Sequence, residues 1–172
     1  IQSAERGVRN SIDLIEKIRT LREANQEEVE EMDVESVLKK SIDDMKDQMV
    51  DMELETEMDC DESCKAKAGP LLKEVFSNLI ENSIRHSEGE KIKISSRGSG
   101  EEIICTIEDD GKGIPDDEKE KILNKGYTSD KEKGTGLGLF LIQKLLEVYE
   151  GQMEVKDSEL GGARFDVKLI KA

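Results

Sequence analysis

Residues 131–151 read KEKGTGLGLFLIQKLLEVYEG. Three glycines, Gly134, Gly136 and Gly138, alternate with Thr135 and Leu137, and an apolar run through Leu139, Phe140, Ile142, Leu145 and Leu146 follows at once. A glycine inside a helix costs about 1 kcal/mol relative to alanine, so a helix that opens on several needs a use for them. The GxGxG spacing, preceded by charged residues and not by a strand, is not the dinucleotide fingerprint. No Gly-Lys-Ser/Thr follows to make a P-loop. What remains is a helix N-terminus whose unpaired amides, bare of side chains, can receive phosphate oxygens. Tight packing of helix on sheet is the alternative use of the same glycines.

Immediately upstream, the stretch between Asp110 and Gly134 is rich in Asp, Lys and Glu. Its apolar content is little more than Ile114, Ile122, Leu123 and Tyr127. A connection of that length is uncommon in a compact domain and often serves as a lid. It opens with IEDDGKGIP, residues 107–115, in which a strand ends in acid and Asp109-x-Gly111-x-Gly113 follows. Such a bend lets backbone come close to something flat or large. A carboxylate there can accept from an amino group such as N6 of adenine. A plain turn accounts for Asp-Gly equally well.

Further upstream, PLLKEVFSNLIENSIRHS (residues 70–87) predicts a helix opened by Pro70. At 100° per residue Leu72, Val75, Phe76, Leu79, Ile80 and Ile84 fill one arc, and Asn78, Asn82 and Arg85 form a polar stripe at its edge. Asparagine is a poor helix former. Its amide oxygen, though, suits magnesium, which keeps most of its waters and takes one or two protein ligands. Arg85, one turn on, is placed to meet phosphate. A solvated face carrying chance asparagines is the alternative.

Around these segments the chain reads as a mixed β/α domain behind a helical arm. Residues 3–29 carry Val8, Ile12, Ile15, Ile18 and Leu21 at helical spacing. That stripe is expected to pack on another chain or on a segment preceding Ile1, or else to lie on its own domain. EEMDVESVLKKSIDDMKDQM predicts a short strand and then a helix starting near Asp33 or Ser36. In VDMELETEMD, Met52, Leu54 and Thr56 alternate with acids as in a strand. EKIKISSRG and EEIICTIEDDG read as a strand pair turning at Gly98–Gly100. GQMEVKDSELGGARFDVKLI reads as a hairpin turning near Gly161 and Gly162.

The bulk composition sets limits. The 172 residues carry 26 Lys and Arg against 41 Asp and Glu, a net charge of −15. That argues against duplex nucleic acid, which needs clustered cations, so a phosphate ligand must be met locally. No apolar stretch approaches the ~20 residues that cross a bilayer, and no secretory signal is present, so no direct membrane contact is expected. Cys60, Cys64 and Cys105 make an odd number beside a single histidine, which fits a reduced, cytoplasmic chain better than a zinc site.

Asn78-xxx-Asn82 on a helix, then Asp109-x-Gly111-x-Gly113, then a charged lid, then GTGLGL, resembles in its order the GHKL ATP-binding family. Within it, the catalytic domain of sensor histidine kinases is the nearest likeness. NLIENSIRHS resembles the N box, DDGKGI the first glycine box and GTGLGL the second. GYTSDKEKGTGLGL is similar to forms with a Thr-Thr/Ser-Lys lid. The likeness spans about residues 34 to 170. RGVRNSIDLIEKIRTLREA resembles the second helix of the family's dimerisation and phosphoacceptor hairpin.

The resemblance implies an α+β chain. Residues 30–172 would form a two-layer α/β sandwich, the Bergerat ATP-binding fold, with a mixed sheet on three helices. Residues 1–29 would be the amphipathic dimerisation helix. It implies ATP and Mg2+ as ligands, with Asn82 holding the metal and Asn78 its neighbour in the pocket. Arg85 would lie near phosphate, Asp109 would read adenine, and Gly111, Gly113 and Ile114 would shape the wall. Lys131 would reach from the lid, and Gly134, Thr135, Gly136, Leu137, Gly138 and Leu139 would cradle the triphosphate. The implied partners are a second copy of the chain, through the first helix, and a response regulator.

Two departures matter. Hydrolytic relatives such as Hsp90 and gyrase place a Glu where this chain has Asn78, which cannot serve as a base. The only histidine, His86, sits inside the N-box helix before Ser87, so the phosphoacceptor is expected upstream of Ile1. The GGARF segment is similar to the family's last glycine box, with Ala163 and Arg164 replacing a common Gly-Thr pair. A GHKL serine kinase of the anti-sigma-factor type and a nucleotide-gated interaction module are the alternatives.

Overall fold

A computed structural model describes residues 2–24, 26–61, 64–86, 88–124 and 137–172. The arm is helix α1 (Gln2–Ala24), followed by strand β1 (Glu30–Asp33) and helix α2 (Val34–Asp51). Asp33 caps α2, its carboxylate accepting from the Ser36 N–H at 2.8 Å. Strands β2 (Glu55–Cys60) and β3 (Lys65–Ala68) lead to helix α3 (Leu72–His86). Then come the hairpin β4 (Lys91–Ser99) and β5 (Glu102–Asp109), the short helix α4 (Asp116–Lys119) with a 3-10 turn at Lys121–Leu123, helix α5 (Gly138–Val148), and the hairpin β6 (Gln152–Asp157) and β7 (Ala163–Ile170).

The main sheet runs β2-β4-β5-β7-β6, with β2 and β4 parallel and every other pair antiparallel, so it is mixed. Helices α3 and α5 lie on one face. Helix α2 packs beside α3 and reaches β2 through Met49, whose sulfur accepts from the Thr56 hydroxyl. The arc expected for α3 is the arc found: Leu72, Val75, Phe76, Leu79, Ile80 and Ile84 are buried. They meet Ile92 and Ile94 of β4 and Ile103, Cys105 and Ile107 of β5 in one core. Burying side chains of this size contributes about 1.5–3 kcal/mol each, and the core aligns α3 on β5.

Four expectations need correction. Helix α2 continues to Asp51 and closes through Leu54 N–H donating to Met49 O, so Met52 and Leu54 precede β2. Pro70 lies in the turn before α3, where the Leu72 N–H reaches Gly69 O. Strand β3 was not anticipated. It pairs with β1 in a separate two-stranded sheet, held by partners far along the chain. The apolar stripe of α1 does find a partner within this chain at its C-terminal end: Leu21 and Ala24 face Phe140, Lys144 and Val148 of α5 around a cleft of about 480 Å³. Val8, Ile12, Ile15 and Ile18 stay exposed, Ile15 by 65%. Among the described residues no helix is long and apolar enough to cross a membrane.

Candidate functional site

Strand β5 sets the site. Ile103, Cys105 and Ile107 point into the core, and the period of two places Asp109 on the same side at the strand's end, 2% exposed. Its Oδ1 accepts from the Gly111 N–H and the Ala163 N–H, both at 3.1 Å. Burial pushes the carboxyl above the usual aspartate range, and those two backbone donors and the neighbouring Ser83 hydroxyl work against it. Ser83 Oγ is itself buried without completing a hydrogen bond. Both backbone donors go to Oδ1.

The turn after β5 is closed from the far hairpin. Gly162 donates its N–H to Asp109 O at 3.1 Å, and Gly113, at φ +68°, brings its α-carbon against the Gly162 carbonyl. That positive φ is what glycine supplies at position 113. Ile114 packs partly against the core. The second acid has separate work, since Asp110 Oδ1 accepts from the Glu90 and Lys91 N–H groups at 2.9 and 2.8 Å and fastens the loop after α3 to this turn. Lys119 of α4 pairs with Asp157 of β6 at 2.8 Å and holds the start of the expected lid to the sheet.

Helix α3 supplies the opposite wall. Asn78 donates from Nδ2 to Glu74 O at 2.7 Å, which turns Oδ1 towards α5, 3.4 Å from where a Cβ on Gly138 would stand. Asn82 has its Nδ2 buried with no partner. An orphaned buried donor costs about 1–3 kcal/mol and calls for an explanation, which an acceptor brought by a ligand would give. Helix α5 begins at Gly138. Its N-cap, Leu137, has no side-chain acceptor to offer, so the last glycine of the motif does open a helix end suited to an anion. Leu139 packs partly on the core.

Asn78, Asn82, Asp109, Gly111, Gly113, Ile114, Leu137, Gly138 and Leu139 thus fall on elements that meet around one end of α3. Arg85 does not join them: its guanidinium pairs with Glu81 at 2.6 Å and is half exposed. Such an exposed i,i+4 pair is worth only about 0.2–0.5 kcal/mol. Lys131, Gly134, Thr135 and Gly136 lie outside the described residues. His86 is half-buried. Ser83 was missed, and Gly162 and Ala163 were named only as a turn and a glycine-box likeness, without their link to Asp109. Ser83 carried a readable signal, a hydroxyl set inside an apolar arc. The other two depend on hairpin register.

Among the described residues no cluster of His, Cys, Asp and Glu could hold a metal by itself. Magnesium does not need such a cluster, because it keeps several waters, shares phosphate oxygens and takes only one or two protein oxygens. Asn82 fits that role.

Comparison with known proteins bears on the same residues. Residues 68–172, more than half the chain, match the family of "Histidine kinase-, DNA gyrase B-, and HSP90-like ATPase" domains. The chain belongs to this family. It is 35% identical over 109 residues to the two-component sensor PhoQ of Pseudomonas aeruginosa, over 62% of this chain and 24% of that protein. It therefore spans about a quarter of that relative's length. Among solved structures, the catalytic domain of histidine kinase ThkA superposes with a TM-score of 0.76 at 26% identity, over 84% of this chain and 96% of that one. Acinetobacter baumannii histidine kinase AdeS gives 0.76 at 25% identity, over 99% and 83%. The ATPase fold of the family is the fold described above, and membership implies that the domain binds ATP.

Proposed function

We propose that this chain is the catalytic part of a two-component sensor histidine kinase, which moves the γ-phosphoryl of ATP to a histidine upstream of Ile1, for relay to a response regulator. The observation that carries the reading is the buried, unpartnered Asn82 amide on α3, beside a buried Asp109 carboxylate whose two backbone donors both go to Oδ1. Asp109 is assigned to adenine and Asn82 to the metal and phosphate end. The α5 N-terminus at Gly138 takes phosphate oxygens, and Lys131, Arg85 once released from Glu81, and the Gly134–Gly138 amides neutralise charge.

Magnesium, held by Asn82, would offset the charge of the phosphates in the bound state. Asn78 supplies no base. A neutral imidazole, with a pKa near ~6.5, already carries the lone pair that attacks. Its nitrogen bonds to the γ-phosphorus as the bond to the β,γ-bridging oxygen breaks. The protein's part is in-line positioning.

Residues 1–29 are assigned to the dimerisation helix, its exposed Val8, Ile12, Ile15 and Ile18 covered by a second copy, and residues 30–172 to the catalytic domain. A cytoplasmic setting follows from that role. The test is incubation of the full-length protein with γ-labelled ATP and magnesium. Acid-labile, base-stable label on histidine supports the reading. Acid-stable label on serine would replace it with a serine kinase, and binding without label with a nucleotide-gated module.

A further inference from the structure

Glu27 lies in the segment between α1 and β1 and belongs to neither. Its Oε1 accepts from the Leu71 N–H at 2.7 Å, just ahead of the first turn of α3, and its Oε2 accepts from the Tyr149 hydroxyl at the C-terminal end of α5. Tyr149 is 2% exposed. Gly69 makes the space, since a Cβ there would stand 2.5 Å from Glu27 Oε2. The carboxylate also satisfies an N–H that the start of a helix leaves open, and bonds to a charged acceptor are about twice as strong as neutral ones. One residue thus joins the foot of the arm to the two helices that carry Asn82 and Gly138, at the ends remote from the nucleotide. Eleven residues of α5 separate the two ends, roughly 16 Å at 1.5 Å per residue. Beside it, Leu21 and Ala24 rest on Phe140, Lys144 and Val148.

We propose that Glu27 is a positioning residue, clasped by Leu71 and Tyr149 across Gly69, that fixes the direction in which the helical arm leaves the catalytic domain. This rests on the kinase reading for its consequence, because there the arm leads to the phosphoacceptor. Without the clasp the arm samples more directions, and the reacting atoms meet less often. The nucleotide pocket is untouched.

The experiment uses the full-length protein with nitroxides on bioorthogonal residues at exposed Glu16 and Lys171, diluted with unlabelled protein so that distances are measured within one subunit. Glu27→Ala removes the clasp, and Tyr149→Phe removes one arm of it. Gly69→Ala displaces the flexible end of Glu27 without altering it. In all three the Glu16–Lys171 distance distribution is expected to broaden. KM for ATP stays within about twofold, and kcat for autophosphorylation falls about tenfold, the low end of what one charge-assisted hydrogen bond is worth. A distribution identical to wild type in both Glu27→Ala and Gly69→Ala overturns the proposal, even if melting temperature falls, since a helix cap alone would do that. A wild-type protein that labels no histidine would sink the kinase reading while leaving the distance measurement to decide the clasp.

Discussion

Gly162 and Asp109 are fastened backbone to backbone: the Gly162 N–H donates to the Asp109 carbonyl at 3.1 Å, and a Cβ on Gly162 would stand 2.5 Å from that same oxygen. The β6–β7 turn is therefore a clamp on the acid proposed to read adenine. The next residue, Ala163, donates to the carboxylate itself. In Gly162→Ala the two turns must part. Overpacking of this kind costs about 1–3 kcal/mol, and ATP affinity is expected to drop about tenfold because Oδ1 loses its donors. Isothermal calorimetry beside urea unfolding reads both, and an unchanged Kd refutes the clamp.

Asp109 carries a stability cost of burial. Burial holds its folded carboxyl above the ~3.9 of an exposed aspartate. Between those two values the unfolded chain has released its proton and the folded chain has kept it, so stability falls as pH rises through that window. Asp109→Asn keeps a carbonyl oxygen for the Gly111 and Ala163 N–H groups but never ionises. Without nucleotide its melting temperature is expected to equal or exceed wild type at pH 7. The difference closes below about pH 4, where both forms are neutral. Nucleotide binding is lost. A variant that melts lower at pH 7 than at pH 4, relative to wild type, contradicts this.

How far the sequence reaches can be judged from these residues. The arc of α3 and the core-side alternation of β5 are local periodicities, so the elements that carry Asn78, Asn82 and Asp109 were legible from spacing. The helix start at Gly138 was legible for the same reason. Gly162 and Ala163 were not, because they reach Asp109 only through the β5–β7 register that sets Glu108 opposite Arg164. Strand β3 reads Lys-Ala-Lys-Ala, without a β-branched or aromatic residue, and exists because β1 lies beside it. Arg85 shows a nearer partner that the stripe did not announce: Glu81 stands one turn back, and an i,i+4 pair forms without any tertiary structure. The seat of Leu21 on α5 brings together residues more than a hundred positions apart, and no helical spacing announces it.

Asn82 offers the reverse test of its own role. Its Nδ2 is buried and unpartnered, so truncation removes a polar group that the unliganded fold does not use. Asn82→Ala is expected to leave unfolding free energy within about 1 kcal/mol of wild type, because a lost desolvation penalty offsets a small cavity. Affinity for Mg-ATP is expected to fall at least about tenfold. Its dependence on magnesium concentration should flatten. Equal affinity and equal magnesium dependence would remove Asn82 from the metal and phosphate end of the pocket.

On the opposite face of the sheet, Asp166 provides a control that touches stability and not the ligand. Its side chain is 3% exposed and accepts from Thr106 Oγ1 at 2.9 Å, Arg164 Nε at 2.7 Å and Lys156 Nζ at 2.7 Å. Burial pushes its pKa up, but the bonds from Arg164, Lys156 and Thr106 outweigh it and hold the carboxyl below the ordinary range. A depressed folded pKa adds stability above the unfolded value and loses it as pH falls through the folded one. Asp166→Asn weakens the two charged bonds, at a cost of about 1–3 kcal/mol at pH 7. The gap to wild type should narrow as the pH drops below about 4, where the wild-type group begins to take up its proton in the unfolded chain. Urea unfolding at pH 7 and pH 3 measures that gap. ATP affinity at pH 7 should match wild type, because Thr106, Glu108 and Asp166 stand on the side of β5 and β7 away from Asp109. A gap that stays constant between the two pH values would mean that the stabilisation comes from packing and not from the ionised carboxylate.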